Sequence, residues 1–308
     1  MNMKRLTAVL AAVCLVAVTL SAQQTPREKY LERYNNLTSK LGAAGVGVET
    51  VLNKWSQDYP EDVDMLLGKF LFYLSKSRTD TVMKIDSDRY LGNAPVLTMK
   101  DSLDNPVNFF QGVNYDDELF GKSEQAIDKA IELNQDRLDL RLYKISALTE
   151  YEKDSPDMAL SSLKALVDYN ASSHPIWEYP GVEMTDEAFA ATIQEYCYSF
   201  YRIGTPGGFE AFRELSEKML TYYPNDPVYL SNIGSYHFVY KHDNKTALKF
   251  YNKVLKKNPD DYTAIKNCVL LARAEKNVKL EKKYLPMLVR VTEDPGEKAS
   301  AEARLKAL

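Results

Sequence analysis

Residues 227–259 decide the fold, and they read PVYLSNIGSYHFVYKHDNKTALKFYNKVLKKNP. Asp226 before Pro227 marks a helix start, because an aspartate side chain can cap free backbone amides and a proline at the first helical position loses no hydrogen bond. Apolar residues then recur at helical spacing on both sides of a turn near His242. Pro259 ends the stretch. The sequence therefore predicts two short helices joined by a tight turn.

Comparable signals recur along the chain, and three further start pairs have the same form: Thr25-Pro26, Ser155-Pro156 and Asp294-Pro295. Glu28 and Glu297 stand at the third helical position, which predicts two capping boxes. Thirteen helices are predicted, near residues 26–41, 46–58, 61–77, 117–134, 138–153, 156–170, 186–203, 207–222, 227–241, 244–257, 261–275, 278–292 and 295–307. Short helices of similar length with few linking residues are typical of stacked helical hairpins.

One hairpin also carries a repeat motif. Pro224 and Pro259 lie 35 residues apart, close to the period of about 34 residues known for paired helices. With Gly234, Ala247 and Tyr251 at the intervening positions, the stretch resembles the tetratricopeptide repeat (TPR) family. In that family, small residues let the two helices approach closely. The resemblance implies an all-α solenoid of antiparallel helical hairpins, which we expect over residues 23–308.

The N-terminus reads as an export signal. Lys4 and Arg5 precede an uncharged apolar run over residues 6–20, and small residues end at Ala22. Such a pattern predicts a bacterial signal peptide over residues 1–22, with cleavage near Ala22. A retained anchor helix is the alternative. The mature chain is then expected in the periplasm or outside the cell, without an integral membrane segment.

Net charge indicates which partners are disfavoured, and the cysteine positions indicate whether a disulfide is expected. The formal charge is −4, and removal of Lys4 and Arg5 makes it −6, which disfavours a nucleic-acid partner. Cys197 and Cys268 are the cysteines of the mature chain. Both lie in apolar helical segments and are expected to be small buried residues, with a mutual disulfide as the alternative.

The family resemblance implies that a concave groove binds a peptide or an extended protein segment. Asn232 and Asn267 occupy corresponding places in consecutive first helices, on the side that faces inward in the family, and Lys266 lies beside the second. An amide can bond a peptide backbone, and lysine can meet a carboxylate. The alternative is that all three are solvated surface residues.

Residues 79–116 interrupt the helical pattern and predict a small β-hairpin inserted between helices. Four large apolar side chains of this hairpin are expected to pack on the helices: Leu97, Met99, Phe109 and Phe110. A packing role is one interpretation of the insertion. The other is that it forms one wall of a binding groove, with Tyr90 and Tyr115 at its ends.

A second irregular stretch covers residues 172–181, where two prolines and a glycine exclude a helix. Its Trp177 and Tyr179 offer large amphipathic surfaces that could grip peptide side chains or stack on sugar rings. Local packing across the ends of neighbouring helices is the alternative.

Recognisable catalytic chemistry is absent from the sequence. The three histidines have no metal-binding spacing, and there is no phosphate loop or nucleophile elbow. We therefore predict no catalytic, cofactor-binding or metal-binding residues. The leading function is a non-enzymatic protein-binding or peptide-binding scaffold of the bacterial cell envelope. The alternatives are an exported all-helical carbohydrate-binding or carbohydrate-cleaving protein and a purely structural spacer.

Overall fold

Helices dominate residues 24–308, the part of the chain that the computed structural model describes. They are α1 Pro26–Leu41, α2 Val48–Asp58, α3 Val63–Ser77, α4 Asp117–Leu133, α5 Leu138–Glu152, α6 Asp157–Ser173, α7 Asp186–Ile203, α8 Pro206–Tyr222, α9 Pro227–Val239, α10 Asn244–Lys257, α11 Tyr262–Ala274, α12 Val278–Val291 and α13 Pro295–Ala307. All thirteen predicted helices are confirmed. The predicted signal peptide, residues 1–22, lies outside the described residues. Within residues 24–308, none of the helices combines the length and the apolar character needed to cross a membrane.

The helix starts explain most of these bounds. Thr25 accepts the Glu28 amide at 3.2 Å, and the Glu28 carboxylate accepts the Thr25 amide at 2.6 Å, so the first predicted capping box is confirmed. The second is wrong. The Glu297 carboxylate accepts the Thr292 hydroxyl at 2.6 Å, and Asp294 alone caps α13.

Ser155 does not cap α6, contrary to the sequence prediction. The Glu152 carboxylate, from the end of α5, accepts the amides of Met158 at 2.6 Å and Ala159 at 2.9 Å instead. Pro156 itself takes the cap position. Burial raises the pKa of Glu152. One side chain therefore satisfies free amides of the following helix and ties the two helices of a hairpin together.

The described chain divides into two compact units, and the first comprises residues 24–79 with Val113–Gln135. It contains α1 to α4, and each helix packs on the next. Trp55 of α2 is fully buried, with Tyr30 stacked on it and Tyr34 packed on its edge. A Cβ added at Gly68 of α3 would lie 2.8 Å from Leu52. The absent side chain thus allows α3 to approach α2.

The second unit, Asp80–Gly112 with Asp136–Leu308, contains α5 to α13. Consecutive helices from α7 to α13 pack on one another, as do α5 and α6. In addition α6 contacts α8, and α9 contacts α11. Second helices therefore stack on second helices and first helices on first helices, as successive hairpins of a solenoid do. The predicted all-α, TPR-like hairpin fold is confirmed.

Close helix approach in the repeat of residues 227–259 follows from Gly234. A Cβ at this position would lie 2.5 Å from the ring of Tyr251, and both Tyr251 and Ala247 are fully buried. Cys197 and Cys268 are buried and free of a disulfide in the described chain, as the favoured interpretation predicted. Burial raises the pKa of each thiol to about 12.

The inserted segment is a three-stranded sheet of β1 Arg78–Lys84, β2 Leu97–Lys100 and β3 Pro106–Tyr115, in the order β1-β3-β2. The predicted hairpin of β2 and β3 is confirmed, with Leu97 opposite Phe109 and Met99 opposite Val107. The strand β1 was not predicted. Its sequence, RTDTVMK, lacks the regular alternation of apolar and polar residues that identifies a strand.

Packing of the hairpin differs between its two faces. Phe110 is buried, but Leu97 is 52% and Met99 is 53% exposed, so the prediction that both pack on helices is wrong. Side chains alternate along a strand, and Leu97 pairs with Phe109, on the face opposite to Phe110. The loop before β2 packs closely on the end of α7, since a Cβ at Gly92 would lie 1.8 Å from the Arg202 carbonyl oxygen.

Candidate functional site

A groove of about 520 Å³ lies between α5 and α7, the first helices of two successive hairpins. Its lining is Asp139, Leu142, Tyr143 and Ser146 from α5, Thr192, Glu195 and Tyr196 from α7, and Tyr179 and Pro180 from the loop between α6 and α7. The spacing of three and four residues places the contributing side chains on one face of each helix. Three tyrosines therefore converge on one concave surface.

Tyr196 forms the fixed part of this surface. Its hydroxyl donates to the Leu142 carbonyl at 3.1 Å and lies 3.0 Å from the Ser146 hydroxyl. Burial raises the pKa of Tyr196. Tyr143 and Tyr179 are the accessible aromatic residues, with exposed fractions of 45% and 36%. Tyr196 is thus fixed between α5 and α7, whereas Tyr143 and Tyr179 are accessible to a ligand.

The two carboxylates of the groove differ in their surroundings. Asp139 is buried, and its two oxygens accept bonds of 2.8 and 2.7 Å from the Arg137 guanidinium. Glu195 is exposed at the rim. Glycoside cleavage requires one carboxyl group on each side of the scissile bond, and Asp139 is already committed to a bidentate ion pair.

Trp177 does not line the groove. It is buried, and its indole Nε1 donates to Asn170 Oδ1 at 2.8 Å. Its ring stacks on Phe189 with the centroids 6.2 Å apart and an angle of 2° between the planes. Trp177 therefore belongs to the contact between α6 and α7, which is the packing alternative for this residue.

Tyr179 owes its place in the groove to the backbone beside it. The Glu178 amide donates to the Asp136 carbonyl at 2.8 Å, and the Leu138 amide donates to the Glu178 carbonyl at 3.0 Å. These two bonds fasten the loop to the start of α5. Because Trp177 anchors one side of Glu178, Tyr179 on the other side is held at the groove.

Asn232 of α9 is turned into the packing between helices. Its Nδ2 donates to Gln194 Oε1 at 2.7 Å and to the Ser216 hydroxyl at 3.1 Å, and the residue is 8% exposed. These bonds join α9 to α7 and α8. Asn232 is therefore neither open to a ligand nor a solvated surface residue.

Lys266 and Asn267 lie on α11 and do not line the groove between α5 and α7. Lys266 Nζ is 2.8 Å from the Tyr262 hydroxyl and 3.0 Å from a Glu297 carboxylate oxygen. These bonds raise the pKa of Lys266. Asn267 is half-buried. The lysine thus already has a carboxylate partner within the chain.

The structure does not bring Tyr90 and Tyr115 together at this groove. Tyr90 packs on the edge of Phe110, and Tyr115 packs on the edge of Phe120, with ring centroids 5.9 and 5.6 Å apart. Both tyrosines thus pack on aromatic neighbours, and neither lines the groove between α5 and α7. No group of three or more potential metal ligands occurs among residues 24–308.

Among the sequence-predicted site residues, only Tyr179 lines the groove. Sequence reasoning missed Tyr143 and Tyr196, which lie more than fifty residues apart in the chain. Their signal was a tyrosine at helical spacing on each of two first helices. These tyrosines can be assigned to one site only when α5 and α7 are known to be neighbouring first helices.

Two solved structures resemble the chain over most of its length. PilF of Pseudomonas aeruginosa is 11% identical, with a TM-score of 0.35, and the match covers 90% of this chain and 97% of that chain. PilW, a widely conserved type IV pilus biogenesis factor, is 8% identical, with a TM-score of 0.38, and the match covers 91% of this chain and 100% of that chain. No protein-family model matches the sequence, and no curated protein matches it significantly. At these values neither likeness assigns a function to the chain.

Proposed function

We propose that the protein is a non-enzymatic scaffold that binds an extended peptide segment of another protein in the groove between α5 and α7. The observation that supports this function is the pair of accessible tyrosines, Tyr143 and Tyr179, above a floor fixed by Tyr196. Tyrosine provides a large amphipathic contact surface with little side-chain entropy to lose. A peptide that covers Tyr143 and Tyr179 would therefore lose little side-chain entropy at these two positions.

The charge of the groove predicts which peptides it would bind. Glu195 lies at the rim beside the tyrosines. A lysine or arginine of the ligand would meet the carboxylate and could lie over a tyrosine ring, where a cation is attracted to the face of the ring. We therefore expect bound peptides to carry a basic residue. The ion pair between Asp139 and Arg137 argues against a carbohydrate-cleaving pair in the same groove.

Replacement of either accessible tyrosine should weaken peptide binding. Peptides that bind residues 23–308 are first selected from a random displayed library. Their affinity for the Tyr143→Ala or Tyr179→Ala variant is expected to be about tenfold or more lower, because aromatic anchors are typical hot spots of binding. The matched control is Tyr198→Ala, an exposed tyrosine of α7 that does not line the groove. Fluorescence anisotropy with labelled peptides measures each Kd.

Peptides that bind both groove variants as tightly as the unchanged protein would contradict this site. A glycan array provides the comparison with the carbohydrate alternative. Glycan binding that disappears in Tyr143→Ala and Tyr179→Ala, with no peptide selected, would favour a carbohydrate-binding protein instead.

We further propose that the scaffold acts outside the cytoplasm. Expression of the full chain in a bacterial host should give a periplasmic or secreted protein whose N-terminus, determined by mass spectrometry, is Gln23. The control variant carries Lys4→Glu and Arg5→Glu, which removes the basic start of the signal, and it should remain uncleaved in the cytoplasm. Uncleaved protein in the membrane fraction would favour the anchor-helix alternative.

A further inference from the structure

The positive charge of this acidic protein is concentrated in one region. Residues 244–291 contain twelve lysine and arginine residues and four aspartate and glutamate residues, while the whole chain has a formal charge of −4. Asymmetry of this size creates a local positive potential in spite of the negative total. The region comprises α10, α11 and α12.

Helix α10 carries five exposed lysines and contains no acidic residue. Lys245, Lys249, Lys253 and Lys256 are exposed on one face and surround a shallow depression of about 430 Å³. Leu248 and Asn252 complete its lining. None of the four lysines has an ion-pair partner among the described residues. We call these four residues the lysine face.

Helix α12 extends this surface. The Tyr284 hydroxyl donates to Asn252 Oδ1 at 2.8 Å, and Lys283 Nζ lies 3.1 Å from the Tyr284 hydroxyl. Lys283 is therefore placed beside Asn252, at the edge of the depression. Helix α12 thus adds the exposed Lys283 next to this face of α10.

The acidic residue of α12 does not offset this charge at the surface. Glu281 is buried, and its carboxylate oxygens accept bonds of 3.0 Å from Arg273 and 2.9 Å from Arg304. The hydrogen bonds from Arg304 and Arg273 lower the pKa of Glu281. Two guanidinium groups outweigh one carboxylate, so this cluster adds positive charge to the region.

We propose that the lysine face binds the surface of an anionic phospholipid bilayer. Four exposed ammonium groups on one face of a helix match the distributed phosphate charges of such a surface, and lysine provides point charges rather than bidentate recognition. This surface lies on second helices, whereas the groove with Tyr143 and Tyr179 lies between first helices. A bound peptide and a bound bilayer therefore do not compete for the same side chains.

Vesicle flotation tests the proposal with residues 23–308, which contain every helix and strand described but not the apolar run of residues 6–20. Vesicles of phosphatidylcholine with about one third phosphatidylglycerol should bind the protein, and vesicles of phosphatidylcholine alone should not. Each lysine near an anionic surface contributes about a fivefold gain in partitioning. The quadruple Lys→Gln variant of the lysine face should therefore lose more than a hundredfold, as an order of magnitude.

The matched control replaces four other exposed lysines by glutamine, namely Lys29, Lys40, Lys54 and Lys84, and changes the net charge equally. It should lose much less binding. Equal loss in both quadruple variants would show that only net charge matters and would overturn the proposal, as would failure of the unchanged protein to bind the anionic vesicles.

Two competitors separate the lipid surface from other anions. Sodium phosphate should displace the protein no more than sodium chloride of the same ionic strength, because screening weakens both alike. Displacement by phosphate alone would assign the depression to a free phosphate ion. Polyglutamate that outcompetes the vesicles would assign the lysine face to an acidic polypeptide. Either result would overturn the proposal.

Discussion

Gly234→Ala is expected to lower the free energy of unfolding by about 2–3 kcal/mol, whereas Gly121→Ala should raise it by about 0.5–1 kcal/mol. A Cβ at Gly234 of α9 would lie 2.5 Å from the buried ring of Tyr251, so α9 and α10 would have to separate. A Cβ at Gly121 of α4 meets no atom within 4 Å. There, alanine only removes the unfavourable helix propensity of glycine.

Denaturation in urea measures the stability of each variant, and hydrogen exchange of the amides of α9 and α10 locates the effect. A double variant tests the cause. If the clash with the ring is responsible, Gly234→Ala should be far less destabilising in a Tyr251→Leu background, and the two substitutions should be non-additive. Equal effects of Gly234→Ala and Gly121→Ala would show that close approach at Gly234 does not matter for this hairpin.

Local signals in the sequence were sufficient to predict the helices. Caps such as Thr25 and Asp226 act on amides two or three residues away, and apolar spacing within a helix requires no knowledge of distant segments. Prediction failed where the stabilising group belongs to another helix or strand. Glu152 replaces Ser155 as the cap of α6 because its side chain crosses the hairpin turn, and strand β1 exists through pairing with the distant β3.

The candidate site was harder to predict for the same reason. A shift of one residue along a helix turns a side chain by about 100°. The assignment of Asn232 to an inward face depended on the repeat register, and its amide is instead bonded to Gln194 and Ser216 of neighbouring helices. Tyr143 and Tyr196 line the same groove because the Tyr196 hydroxyl of α7 is hydrogen-bonded to Leu142 and Ser146 of α5. Their own hairpins match the repeat motif poorly, so the sequence did not identify these helices as partners.

Trp177→Ala should be strongly destabilising, by about 3–5 kcal/mol, because removal of a buried tryptophan leaves a cavity against Phe189. It also leaves the buried side-chain oxygen Oδ1 of Asn170 without the indole donor. Trp177→Phe keeps an aromatic ring against Phe189 but loses that donor and part of the buried ring volume, so it should cost less, about 1–3 kcal/mol. Urea denaturation measures both variants.

Peptide affinity separates a packing role of Trp177 from a binding role. At a temperature where Trp177→Phe is fully folded, the peptides selected on the unchanged protein should bind it with a Kd within about twofold of the unchanged value, since Tyr179 lines the groove and Trp177 does not. Tyr179→Ala should show the reverse pattern, with little change in stability and a large loss of affinity. A tenfold loss of affinity in folded Trp177→Phe would instead show that the indole takes a direct part in recognition. The assignment of Trp177 to packing and of Tyr179 to binding would then be wrong.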